Sequence, residues 1–134
     1  MNKPEYGNVT ESIELSLPVN AAYVSTARLT ASSIANRQGF DIDEMEDIKA
    51  AVSEACTYVI RKSHGGGSGL FRLVFDIGDG FVAISLSSDN ANGTADDEEM
   101  SILMIKALMD DTVVKADGGR LSIQMRKTHQ VMEL

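Results

Sequence analysis

The run AAVSEACTYVIRK (50–62) carries the residues best placed to do chemistry. Glu54 stands among small and apolar neighbours on a stretch with helical spacing, where a carboxylate needs a purpose. A carboxylate there can accept a proton from an attacking hydroxyl that comes within hydrogen-bond reach. Tyr58 lies four residues on. At that separation two side chains share a helix face and can meet. A bulky phenol beside the carboxylate therefore decides how much room Glu54 has.

The other reactive residue types have no partners at useful spacing. Cys56 is the single cysteine, so no intrachain disulfide can form, and its small and apolar neighbours mark it as a buried, inert thiol. His64 and His129 are too far apart in sequence to suggest zinc ligation. The basic pairs Arg61-Lys62 and Arg126-Lys127 are short, and the net charge is −8, with 20 acidic residues against 12 Lys and Arg. A phosphate backbone needs a larger basic surface to release its counterions, so nucleic acid is not an expected partner. No apolar run approaches the ~18 residues of a membrane span. The polar start, MNKPEYGNVTES, lacks the apolar core of a signal peptide. The expected setting is the cytoplasm, away from membranes.

These residues must be positioned by the elements around them. At 134 residues, 43% hydrophobic, the chain suits one domain over 1–134, with 1–11 expected as a flexible tail. SIELSL (12–17) alternates Ile13, Leu15 and Leu17 with polar residues, a half-buried strand that Pro18 ends. Asn20 suits an N-cap for a helix over about 21–38, with Val24, Ala27, Ala31, Ile34 and Ala35 as its apolar stripe and Gly39 as its stop. Asp41 and Glu44 form a capping-box pattern for a second helix to about 62, with Met45, Ile48, Val52, Ala55 and Val59 facing inward.

GGGSG (65–69) breaks the chain. LFRLVFDI and FVAISLS flank Gly78-Asp79-Gly80 as a hairpin, with Phe71, Leu73, Phe75 and Ile77 on one face and Val82, Ile84 and Leu86 on the matching one. The polar, acidic stretch 88–99 reads as a loop. MSILMIKALMDD (100–111) reads as a third helix, apolar on most sides and therefore well buried. TVVKAD and RLSIQMRK enclose Gly118-Gly119 as a second hairpin. The order β-α-α-β-β-α-β-β gives an α+β two-layer sandwich.

The run IELSLPVNAAYVSTARLTASSIANRQGFDIDEMEDIKAAVSEACT, with IKALMDD and the last hairpin, resembles the anti-sigma-factor serine kinases of bacterial partner switching. These are GHKL ATPases, related to histidine kinases and gyrase. The resemblance implies a histidine-kinase-like ATPase fold, ATP and magnesium as cofactors, and a serine of an anti-anti-sigma protein as substrate. It makes Glu54 the general base. It places Tyr58 where the family has an Asn that ligates magnesium. A neutral phenol is a poor ligand for that hard cation. The literal Asp-x-Gly-x-Gly match, DIGDG (76–80), falls in a hairpin turn one strand too early. The positional match is DNANG, with Asp89 toward adenine, Ala91 in place of a glycine, and Gly93. The family's Gly-x-Gly at the start of the third helix aligns with Glu99 and Ser101, after Asp96, Asp97 and Glu98. Carboxylates there stabilise the helix and repel a triphosphate.

The site residues implied are thus Glu54 as a retained base, Asp89, Ala91, Gly93 and Ser101 as a degenerate ATP site, and no metal ligand. Arg28, in TARLT, matches a partner-facing arginine of the family. The expected activity is docking to a sigma factor or a STAS-type anti-anti-sigma protein without need of a cofactor, with homodimerisation a family habit. The alternatives are an active serine/threonine kinase that uses ATP and magnesium, and a stand-alone domain for another ligand.

Overall fold

The computed structural model describes residues 8–63, 69–89 and 99–129. Five strands and three α-helices follow one another as β1 (Val9–Pro18), α1 (Val24–Arg37), α2 (Ile42–Lys62), β2 (Leu70–Gly78), β3 (Phe81–Ser88), α3 (Met100–Leu108), β4 (Asp111–Asp117) and β5 (Arg120–Thr128). The strands form one antiparallel sheet in the order β1-β2-β3-β5-β4. This is the α+β layered architecture expected from the alternation of patterns.

The core lies between one sheet face and the helices. Strand side chains alternate between faces. Phe71, Leu73, Phe75 and Ile77 of β2 are buried, with Val82, Ile84 and Leu86 of β3 and Leu121, Ile123 and Met125 of β5. Opposite them Ala27, Ala31, Ile34 and Ala35 of α1 and Ile48, Val52, Ala55 and Val59 of α2 are buried. Small side chains along α1 let α1 and α2 approach closely.

Two turns fix the sheet register. Gly118 and Gly119 adopt φ of 58° and 86°, the pair of positive values that a two-residue hairpin turn demands. Gly78 ends β2 under the Phe81 ring, and a Cβ there would meet both that ring and the Asn8 carbonyl oxygen. DIGDG is therefore the β2–β3 corner, as its place in the sequence implies.

Several boundaries depart from expectation. β1 begins at Val9, inside the segment 1–11 expected to be a tail, because its first residues pair with Gly78 and Ile77 across a register shift between Val9 and Glu11. The first helix opens as a 3₁₀ turn at Ala21–Tyr23, with the Asn20 side chain accepting from the Ala22 amide at 2.9 Å. α3 stops at Leu108 rather than 111, because Asp111 already pairs with Arg126 in the sheet. Nor is α3 buried on most sides. Ile102 and Ile105 are enclosed, but Met100, Leu103 and Met104 are 69%, 46% and 43% exposed. A nine-residue helix on one side of a sheet offers the core only one stripe.

Candidate functional site

α2 carries the centre of the site, and its first turn sets the helix phase. Glu44 N–H donates to Asp41 Oδ1 at 2.8 Å, and Asp41 N–H donates to Glu44 Oε1 at 2.9 Å, completing the capping box. With the phase that buries Ile48, Val52, Ala55 and Val59, Tyr58 also turns inward and is fully buried. Glu54, one turn earlier, is half-buried and makes no hydrogen bond or ion pair among the described residues. Cys56 is enclosed, and burial pushes its thiol up from 9.0 to about 12.

Tyr58 is covered by charge. Arg61 Cζ lies 5.4 Å and Lys62 Nζ 5.5 Å from its ring centroid, within the range of cation–π attraction. Both cations also reach Glu99, the N-cap residue of α3: Arg61 Nη2 forms an ion pair with it, and Lys62 Nζ lies 3.4 Å from Oε2. The end of α2 and the start of α3 are thus joined over the tyrosine. The Tyr58 hydroxyl is buried and has no hydrogen-bond partner among the described residues.

A second link holds the end of α2 to the sheet. Ser63 Oγ donates to the Val59 carbonyl at 2.7 Å, and the buried Ser88 Oγ lies 2.9 Å from Ser63 Oγ. With the Ser63 proton committed, Ser88 is the donor between them. Asp89 follows directly. Its side chain is 79% exposed and lies 3.5 Å from Arg120 Nη1 on β5, a solvated pairing. Ser101 is half-buried in the first turn of α3. Ala91, Gly93 and the acids at 96–98 lie outside the described residues.

Arg28 is exposed on α1, and its Nη1 donates to Ser53 Oγ at 3.4 Å. Ser53 precedes Glu54, so the arginine expected to face a partner lies beside the α2 segment that bears the candidate base. Sequence reading placed these two on separate elements and did not bring them together. It also treated Arg61-Lys62 only as a short basic pair. The acidic run ending at Glu99 was the available sign of their partner. The Ser63–Ser88 link had no sequence signal, because it depends on where β3 ends in space.

A cavity of about 560 Å³ lies between β1 and the second half of α1, lined by Ile13, Ile34, Arg37 and Ile77 among others, and by none of the residues above. Among the described residues, no group of three or more His, Cys, Asp or Glu could hold a metal ion, and no helix is long and apolar enough to cross a membrane.

Residues 17–127 match the family described as the histidine kinase-like ATPase domain. The chain belongs to that family. Within it, the chain is 30% identical to the serine-protein kinase RsbW of Bacillus mycoides, over 87% of this chain and 84% of that one. It is 29% identical to RsbW of Bacillus thuringiensis over the same shares. The RsbU and RsbW domains of Rv1364c from Mycobacterium tuberculosis superpose with a TM-score of 0.71 at 18% identity, covering 89% of this chain and 32% of that one. That likeness is one of fold. The anti-sigma serine-kinase family suggested by VSEACT and LMDD is the family these relatives represent.

Proposed function

We propose that this protein is a regulatory member of the anti-sigma family that acts by docking to a protein partner rather than by phosphoryl transfer. The observation that carries the reading is the fully buried Tyr58 under Arg61, Lys62 and Glu99. The family cofactor would be ATP with magnesium. The donor set here does not suit it. A phenol replaces an amide oxygen beside Glu54, and a carboxylate takes up the two nearest cations. Magnesium needs several oxygen donors in tight octahedral geometry. Asp89, the adenine-side residue, is paired outward with Arg120.

The partner class implied by the resemblance to anti-sigma serine kinases is a sigma factor or a STAS-type anti-anti-sigma protein, met through Arg28 and the outer face of α1. Calorimetry with ATP and magnesium tests the reading. The expected result is no binding in the micromolar range, and a micromolar dissociation constant, about −8 kcal/mol, would overturn it.

One observation favours a second reading. Glu54 remains partly accessible and unpaired among the described residues, the state in which a carboxylate can act as a base. The relatives are named serine-protein kinases. An active serine/threonine kinase on an anti-anti-sigma protein is therefore the alternative. Transfer of labelled phosphate to a STAS-type protein, lost in Glu54→Ala, would establish it.

A further inference from the structure

The two layers of the sandwich part at one end. In the β1–β2 ladder Leu17, Leu15, Ile13 and Glu11 stand opposite Phe71, Leu73, Phe75 and Ile77. Directly paired residues share a sheet face, so all four β1 residues lie on the side that faces the helices. Leu17 is buried, Leu15 half-buried, Ile13 39% exposed and Glu11 exposed. The layers thus separate toward the start of β1, where the cavity of about 560 Å³ lies against the second half of α1. Ile34 and Ile77, both buried, form its floor. Glu11 on the β1 wall and Arg37 on the α1 wall are exposed at its rim. Neither makes an ion pair or side-chain hydrogen bond among the described residues, with each other or with a third group. A carboxylate on the core-facing side of a sheet departs from the pattern that burial imposes. An inward charge on an edge strand deters strand pairing, but that role requires no cation on the facing helix. Nor is Arg37 engaged at the helix end, since the carbonyls of Ile34, Ala35 and Asn36 already accept from the amides of Gln38, Phe40 and Gly39.

We infer that this cleft binds a small apolar zwitterion of the α-amino acid class. Its carboxylate meets Arg37, its ammonium meets Glu11, and its hydrocarbon side chain lies on Ile13, Ile34 and Ile77. A guanidinium suits a carboxylate through paired N–H donors. The volume is that of small-ligand pockets, which combine an apolar lining with a few polar groups. A simple anion would be repelled by Glu11 and a simple cation by Arg37, so a ligand that carries both charges is favoured. The cleft shares no residue with the Glu54–Tyr58 site or with Arg28. Binding here requires neither a nucleotide nor a protein partner.

The test is calorimetric titration of L-leucine into the full chain at low salt. Two analogues accompany it: N-acetyl-leucine, which lacks the ammonium, and leucinamide, which lacks the carboxylate. Leucine should bind saturably with a dissociation constant below about 1 mM. Each analogue should bind at least about tenfold more weakly, as expected when one charge-assisted contact is lost. Arg37→Gln and Glu11→Gln should each weaken leucine binding by a similar factor. Both positions are exposed and unpaired among the described residues, so the fold tolerates the changes. Absence of saturable leucine binding overturns the inference. So does equal binding of either analogue, or an affinity for leucine that either variant leaves unchanged.

Discussion

Tyr58 is fully buried within the candidate site. Its ring fills core space, but its hydroxyl is buried without a partner among the described residues. A buried donor left unpaired costs about 1–3 kcal/mol. Tyr58→Phe should therefore leave stability unchanged or raise it by about 1 kcal/mol. Tyr58→Ala should lower it by about 3–5 kcal/mol through the cavity. Urea denaturation of both variants checks the pair. A clear loss in Tyr58→Phe would mean that the hydroxyl has a partner. Two residues earlier, Cys56 gives a pH prediction. Burial pushes its folded pKa up to about 12, from an ordinary 9.0. The folded state then holds the proton more tightly, so this stabilisation is full below pH 9 and lost as pH rises toward 12. Cys56→Ala should flatten the fall of stability over that window. In the unaltered chain at neutral pH, iodoacetamide should label Cys56 only as fast as the protein opens.

At the scale of elements, local signals were legible wherever side-chain chemistry acts on its own backbone. Asp41 and Glu44 marked the start of α2, and Gly118-Gly119 marked a hairpin. Period-two runs marked β2 and β3, whose inward faces are those expected. Signals failed where a neighbour decides. α3 is apolar around most of its circumference, and nothing in MSILMIKALMDD says that only one stripe meets the sheet. Its end was misplaced because Asp111 is claimed by Arg126 on another strand. The site divides in the same way. Tyr58 and Glu54 were visible as an i, i+4 pair, whereas the closure of Arg61 and Lys62 by Glu99 needs α3 in place. The capping box offers a quantitative check. Asp41→Ala should cost about 0.5–2 kcal/mol. Glu44→Ala should cost more, because Glu44 Oε1 also lies 2.6 Å from His129 Nδ1 and so ties α2 to the end of β5. Chemical denaturation orders the two variants, and a smaller loss for Glu44→Ala would remove the His129 link from the account.

For the whole molecule, the question is which surface does the work. At the α2–α3 junction Tyr58 is enclosed beneath the Arg61–Lys62–Glu99 cluster, whereas the outer face of α1 carries exposed side chains. Arg28 is exposed there, and Leu29 beside it is 69% exposed. A cation next to an exposed apolar side chain suits a contact that is buried on docking, where losing a charged hydrogen bond costs about 2–5 kcal/mol. Arg28 contributes little to the fold, since its one hydrogen bond among the described residues, to Ser53, is long at 3.4 Å and exposed. Arg28→Ala should thus weaken binding to a sigma factor or STAS-type partner at least about tenfold, with the melting temperature nearly unchanged, as for other exposed positions. Glu54→Ala should leave the complex intact, because docking does not use its carboxylate. Co-purification of each variant with the sigma factors and STAS-domain proteins of the same genome separates the two faces. If the complex survives Arg28→Ala and is lost with Glu54→Ala, the nucleotide face carries the partner, and docking through α1 is wrong.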